Sequence, residues 1–145
     1  MTMVAAILRH KGHEVIAVNP AATIAEVAEV LRARRIGAVL VTDSLGQLLG
    51  IVSERDIVRS MAAHGATTLE RTAAQLMTRV VVTASPATTI PEAMRLMTER
   101  RVRHIPVLDN GGLVGLISIG DVVKARIMEQ EQEVDSLKAY IAGAA

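Results

Sequence analysis

The chain repeats itself. Residues 15–44 (VIAVNPAATIAEVAEVLRARRIGAVLVTDS) match residues 81–110 (VVTASPATTIPEAMRLMTERRVRHIPVLDN) at an offset of 66, with ten identities in thirty positions. The matched pairs are Val15/Val81, Pro20/Pro86, Ala21/Ala87, Thr23/Thr89, Ile24/Ile90, Glu26/Glu92, Arg34/Arg100, Arg35/Arg101, Val41/Val107 and Asp43/Asp109. After a one-residue deletion the match resumes at Gly50/Gly115, Ser53/Ser118, Asp56/Asp121 and Val58/Val123. Identity this dense marks a duplicated unit, and it confines the fold to what two copies of one small module can build.

Both copies read alike. A short strand (Val15–Val18; Val80–Thr83) meets a turn at Asn19-Pro20 or Ser85-Pro86. Thr23 and Thr89 then cap a helix, with Glu26 and Glu92 at the capping-box spacing. Ile24, Val27, Ala28 and Leu31 recur at helical spacing, as do Ile90, Ala93, Met94 and Met97. A second strand (Ala38–Thr42; Ile105–Leu108) is followed by a polar turn (Asp43–Gln47; Asp109–Gly112). The third strand (Leu48–Val52; Leu113–Ile117) leads into a helix just after Ser53 or Ser118. The expected fold is therefore α/β (α+β): two β-α-β-β-α repeats, with Thr67–Met77 a helix introducing the second as Met3–Leu8 introduces the first. A single unit is too small to bury both faces of its sheet, so the copies are expected to pack by pseudo-twofold symmetry, leaving paired clefts between them.

Composition removes several classes of function. Aromatic residues are 1% of the chain, with Tyr140 alone, which argues against recognition by aromatic stacking. Sixteen basic residues against fifteen acidic give a net charge of +1 with no basic block, which argues against nucleic acid as a partner. The absence of cysteine excludes disulfides, thiolate metal sites and thiol nucleophiles. The longest uncharged run, Val80 to Pro91, falls well short of the roughly 20 apolar residues that span a bilayer. Without a membrane span or a cleavage-site pattern, the expected compartment is the cytoplasm. His10, His13 and His64 are scattered, and no nucleophile–base pair or glycine-rich phosphate loop occurs, so neither a metal nor a catalytic site is expected.

Ser53-Glu-Arg-Asp56 and Ser118-Ile-Gly-Asp121 read first as helix starts, each serine an N-cap and each aspartate closing a capping box. An aspartate in that position can also accept the hydroxyls of a ribose, and the two roles are compatible. Arg34, Arg35, Arg100 and Arg101 end their helices, where cations suit the dipole. Seven methionines read as core filler. Pro106 marks its strand as an edge or turns its amide position toward a cleft. Beyond Asp121 the chain reads as one long C-terminal helix. Its Ile127, Val134 and Ile141 fall seven apart with Leu137 and Tyr140 nearby, a stripe that either packs on its own domain or serves dimer contacts.

GIVSERDIVR (50–59), GLISIGDVVK (115–124) and RVRHIPVLD (101–109) together resemble the tandem pair of cystathionine-β-synthase (CBS) domains, stand-alone bacterial type. The resemblance covers roughly residues 2–128 and divides the chain into repeats at 1–64 and 65–128 with a helical extension at 129–145. It implies a non-enzymatic sensor. An adenine nucleotide would serve as regulatory ligand: AMP first, with ADP, ATP, NAD(H) or S-adenosylmethionine as alternatives. It further implies a homodimer acting on an unidentified regulated protein. Carried over position by position, the nucleotide site comprises Ser118, Asp121, Arg103, His104, Pro106, Thr83 and Gly120 in repeat two, with Ser53, Asp56 and Arg55 in repeat one. Only repeat two has Arg103-His104 where phosphate would sit; repeat one has Gly37-Ala38, with Arg55 a partial substitute. The competing reading is a constitutive dimerising scaffold with vestigial clefts.

Overall fold

The computed structural model describes residues 2–80 and 82–144. In chain order its elements are α1 (Val4–Lys11), β1 (Ala17–Val18), α2 (Ile24–Arg34), β2 (Ala38–Thr42), β3 (Leu48–Ser53) and α3 (Glu54–His64). A 3₁₀ segment (Gly65–Glu70) follows, then α4 (Ala73–Leu76), β4 (Thr78–Arg79), α5 (Ile90–Arg100), β5 (His104–Asp109), β6 (Gly112–Ser118) and α6 (Ile119–Ala144). This mixed α/β chain forms two compact units. One is contiguous, Val15–Val81; the other is composite, Met1–Glu14 together with Val82–Ala145.

In the contiguous unit the strand order is β1-β2-β3-β4, with β1 parallel to β2 and the remaining pairs antiparallel. Asn19 Oδ1 accepts the Ala21 N–H at 2.8 Å, which turns the chain out of β1. Thr23 Oγ1 then accepts the Glu26 N–H and starts α2. This is half of the expected box, because the glutamate does not return the bond. The helix ends at Arg35, whose φ of 55° is left-handed, and Arg101 closes α5 in the same way at 54°. Ile24, Val27 and Leu31 meet Val39, Val41 and Val52 from the sheet, with Ile57 of α3 and Ala73 of α4, in one buried core.

The composite unit reproduces that core position by position. Ile90, Ala93, Met97, Ile105, Val107, Ile117 and Val122 stand where Ile24, Val27, Leu31, Val39, Val41, Val52 and Ile57 stand in the other, and Ile7 of α1 replaces Ala73 of α4. Each leading segment thus packs not on the repeat that follows it in sequence but on the other one. Leu8 fixes α1 against β6: a Cβ added at Gly115 would lie 2.5 Å from its Cδ2. At the matched Gly50, Met77 and Thr78 fill the same space at 2.8 Å. The Gly50/Gly115 identity is thereby explained, since both strands need close approach by the incoming segment.

Two expected elements are revised. Thr67–Met77 is not one helix: the 3₁₀ segment ends at Glu70, Arg71 is extended, and Thr72 starts a one-turn helix with Gln75 in a capping box. Thr68 is fully buried and its hydroxyl hydrogen-bonds that of Ser60 at 2.9 Å, which ties the 3₁₀ segment to α3. The strand expected at Val80–Thr83 is also absent from the described residues, Val81 lying outside them. Ala84 alone forms a parallel bridge to Val107. The cause is Pro106. In the first repeat the Leu40 N–H donates to the Ile16 carbonyl at 3.1 Å, whereas Pro106 at the matched position has no N–H to offer Val82. The ladder shrinks to the bonds around Ala84, whose N–H donates to Pro106 and whose carbonyl accepts from Leu108, each at 2.9 Å.

Candidate functional site

In the composite unit β6 runs directly into α6 at Ser118. The Asp121 N–H donates to Ser118 Oγ at 3.2 Å, and Asp121 Oδ2 accepts the Ser118 N–H at 2.8 Å, so the capping box forms. The carboxylate is fixed at the first turn of the helix, half-buried. His104 pairs with Ser118 across the β5–β6 ladder, and the Arg103 carbonyl accepts the Ile119 N–H at 2.8 Å. Strand pairing therefore gathers Arg103, His104, Ser118, Gly120 and Asp121 at one strand–helix junction. Arg103 is exposed and His104 half-buried. Pro106 is buried two positions further along β5, and Thr83 is exposed beside Ala84 on the opposite edge of β5 from β6.

A residue the sequence reading missed completes this junction. Lys11, the last residue of α1, donates from Nζ to Asp121 Oδ2 and to the Leu116 carbonyl, at 2.8 and 2.9 Å. Partial burial disfavours the charged carboxyl, but the Lys11 hydrogen bond, the Ser118 N–H and the Lys11 charge outweigh it. Asp121 is accordingly held below its ordinary aspartate value. Leu116 matches Ile51, which in the other unit pairs with Thr78 of β4. A side-chain ammonium thus covers the strand edge that a backbone ladder covers in the contiguous unit. Extending the self-comparison back to residue 11 sets Lys11 against Met77, and that mismatch was the only available signal.

The contiguous unit builds the same junction with other partners. Ser53 donates to Asp56 Oδ2 through both N–H (2.8 Å) and Oγ (3.0 Å), and the Asp56 N–H returns a bond to Ser53 Oγ. The second carboxylate oxygen, Oδ1, accepts from Thr78 Oγ1 at 3.2 Å. Ala38 pairs with Ser53, and the Gly37 carbonyl accepts the Glu54 N–H, so the residues at the Arg103 and His104 positions carry no phosphate-binding group. Arg55, exposed, occupies the position of Gly120. Among the described residues no cluster of three or more histidine or acidic side chains could hold a metal, and no helix is long and apolar enough to cross a membrane.

Comparison with known proteins agrees with this duplicated architecture. The model of the CBS domain family matches residues 4–63 and again 73–127. A crystal structure of the CBS-domain containing protein ATU1752 from Agrobacterium tumefaciens is 47% identical, with a TM-score of 0.83 over 86% of this chain and 93% of that one. The CBS domain protein PAE2072 from Pyrobaculum aerophilum, solved complexed with AMP, is 26% identical, with a TM-score of 0.73 over 83% of this chain and 89% of that one. Among curated proteins, the mitochondrial CBS domain-containing protein CBSX3 of Arabidopsis thaliana is 36% identical over 125 residues, 83% of this chain but only 61% of that relative's length. Two family matches in tandem, covering about four-fifths of the chain, and a buried core that recurs at matched positions lead to one conclusion: this chain belongs to the CBS domain family, as a tandem pair.

Proposed function

We propose that this chain is a cytoplasmic, non-enzymatic regulatory module whose Ser118–Asp121 junction binds an adenosine-containing nucleotide, AMP before ADP, ATP, NAD(H) or S-adenosylmethionine. The observation that carries the reading is the fixed, ionised Asp121 carboxylate beside Arg103 and His104 at one strand–helix junction. The carboxylate accepts ribose hydroxyls, and the Arg103 guanidinium and the His104 ring supply donors for phosphate. The AMP bound in a solved family member supports the ligand class. Signalling follows from population shift: the nucleotide favours one arrangement of a homodimer over another and so alters the surface offered to a regulated protein.

A second reading applies to the contiguous unit. There both Asp56 oxygens already hold partners and no Arg-His pair is present, so this junction is the scaffold half of the pair, binding nucleotide weakly or not at all. The test is calorimetric titration of Arg103→Ala with AMP and with adenosine. Loss of AMP affinity by about 1.5–3 kcal/mol with adenosine unchanged is expected. Equal loss for both ligands removes Arg103 from the phosphate site.

A further inference from the structure

We propose that α6 pairs with α6 of a second copy as a parallel, in-register two-stranded coiled coil; this rests on the homodimer in the function proposed above. The helix has two distinct faces. Val122 is buried, Ala125 packs against the same core, and Glu129 accepts from Arg126 at 2.9 Å and from the Thr2 N–H at 3.4 Å. That face is spent on the composite unit. On another face Val123, Ile127, Val134, Leu137 and Ile141 are each 45–59% exposed. They fall into one heptad register, with Ile127, Val134 and Ile141 at a and Val123, Gln130 and Leu137 at d.

The composition of that register selects the occupant. β-branched residues at all three a positions, with Leu137 at one d position, fit two parallel strands, and the polar Gln130 at d is best met by its own copy in an in-register pair. Charge agrees. In a parallel pair each g position faces e of the next heptad on the partner, so Arg126 meets Glu131 and Glu133 meets Lys138 of the second copy. Both contacts are attractive, and twofold symmetry makes each of them twice. An antiparallel pair sets g against g and e against e: the stagger that overlaps the whole stripe leaves Glu133 opposite Glu133 and Glu131 opposite Glu131, and the stagger that sets Glu133 against Arg126 leaves Leu137 and Ile141 without partners. Arg126 is partly committed to Glu129 of its own helix, so Glu133–Lys138 is the decisive pair.

The natural sequence lacks cysteine, so a single introduced one reports geometry cleanly. In the full chain, Leu137→Cys sits at d and Gln132→Cys on the outer f position. Mild oxidation should give the covalent dimer of Leu137→Cys at least about tenfold faster than that of Gln132→Cys, since only d meets d across a parallel seam. Lys138→Glu should weaken dimerisation about fivefold, and Glu133→Lys/Lys138→Glu should restore it. Equal cross-linking of the two cysteine variants, or failure of the double swap to restore, overturns the seam while leaving a dimer by another surface. Light scattering that finds the unmodified chain monomeric at tens of micromolar overturns the seam and the homodimer together.

Discussion

Asp121 shows how one side chain can serve fold and ligand together. Its Oδ2 holds both the Ser118 N–H and the Lys11 ammonium, so the carboxylate is positioned and ionised before any ligand arrives. Replacing it with Ala should weaken AMP binding by about 1.5–3 kcal/mol, the worth of hydrogen bonds to a charged group. Stability should fall by only about 0.5–2 kcal/mol, as for a lost cap. Calorimetry and denaturant unfolding measure the two separately, and unchanged affinity would reduce Asp121 to a cap. Lys11 predicts a pH effect. A carboxyl held below its ordinary value contributes stability that is present above the unfolded value of about 3.9 and lost as pH falls through the folded one. Lys11→Met should therefore cost about 0.5–1 kcal/mol at pH 7, a modest figure because the lysine is 41% exposed. The difference from the unmodified chain should shrink as pH falls through the folded Asp121 value, leaving the share due to the Lys11 bond to the Leu116 carbonyl, and urea unfolding across that range checks it. Ser118 and Asp121 were legible in the sequence because they recur at Ser53 and Asp56. Lys11 was not, because it reaches Asp121 across 110 residues of chain.

Apart from the broken segment at Thr67–Met77, helices and central strands were read from local pattern alone, while elements whose existence depends on a distant partner were not. α2, α5, β2 and the starts of α3 and α6 follow from capping residues and apolar spacing that lie within each segment. β4 exists because β3 offers it an edge, and the strand expected near Thr83 fails because Pro106, more than twenty residues later, withholds a donor. Packing at Gly115 gives an element-level prediction. Ala there drives a methyl into buried Leu8 and should cost about 1–3 kcal/mol through displacement of α1. Ala at Gly120, where the nearest atom is Ser118 Oγ at 3.6 Å, should be neutral or stabilise by up to about 1 kcal/mol. Thermal unfolding of the two variants side by side separates them. An unaffected Gly115→Ala would mean that α1 is not held by that contact.

The duplicated core was legible at the scale of the whole chain, but its partition was not: similarity shows which segments are alike, not which of them pack together. The composite unit draws Val4, Ile7 and Leu8 from the far side of the contiguous one in sequence. Burial of three such side chains is worth roughly 5–9 kcal/mol, comparable with the whole stability of a domain at about 5–15 kcal/mol. A chain starting at residue 15 should therefore lose amide protection in 82–145 well before and beyond any loss in 15–80, resolved residue by residue in amide hydrogen exchange. Full protection of 82–145 without residues 1–14 would refute that accounting. The same interleaving sets a timetable during synthesis. Residues 15–81 hold every segment of their own unit and can fold as soon as they emerge, whereas residues 4–11 must wait for β6 and the start of α6. At about 5–20 residues per second that wait is on the order of 5–20 s, with an apolar helix face uncovered throughout. On a crowded polysome the nearest completed second repeat can belong to a neighbouring chain, so exchange of the first fourteen residues between chains is the characteristic misassembly this topology invites.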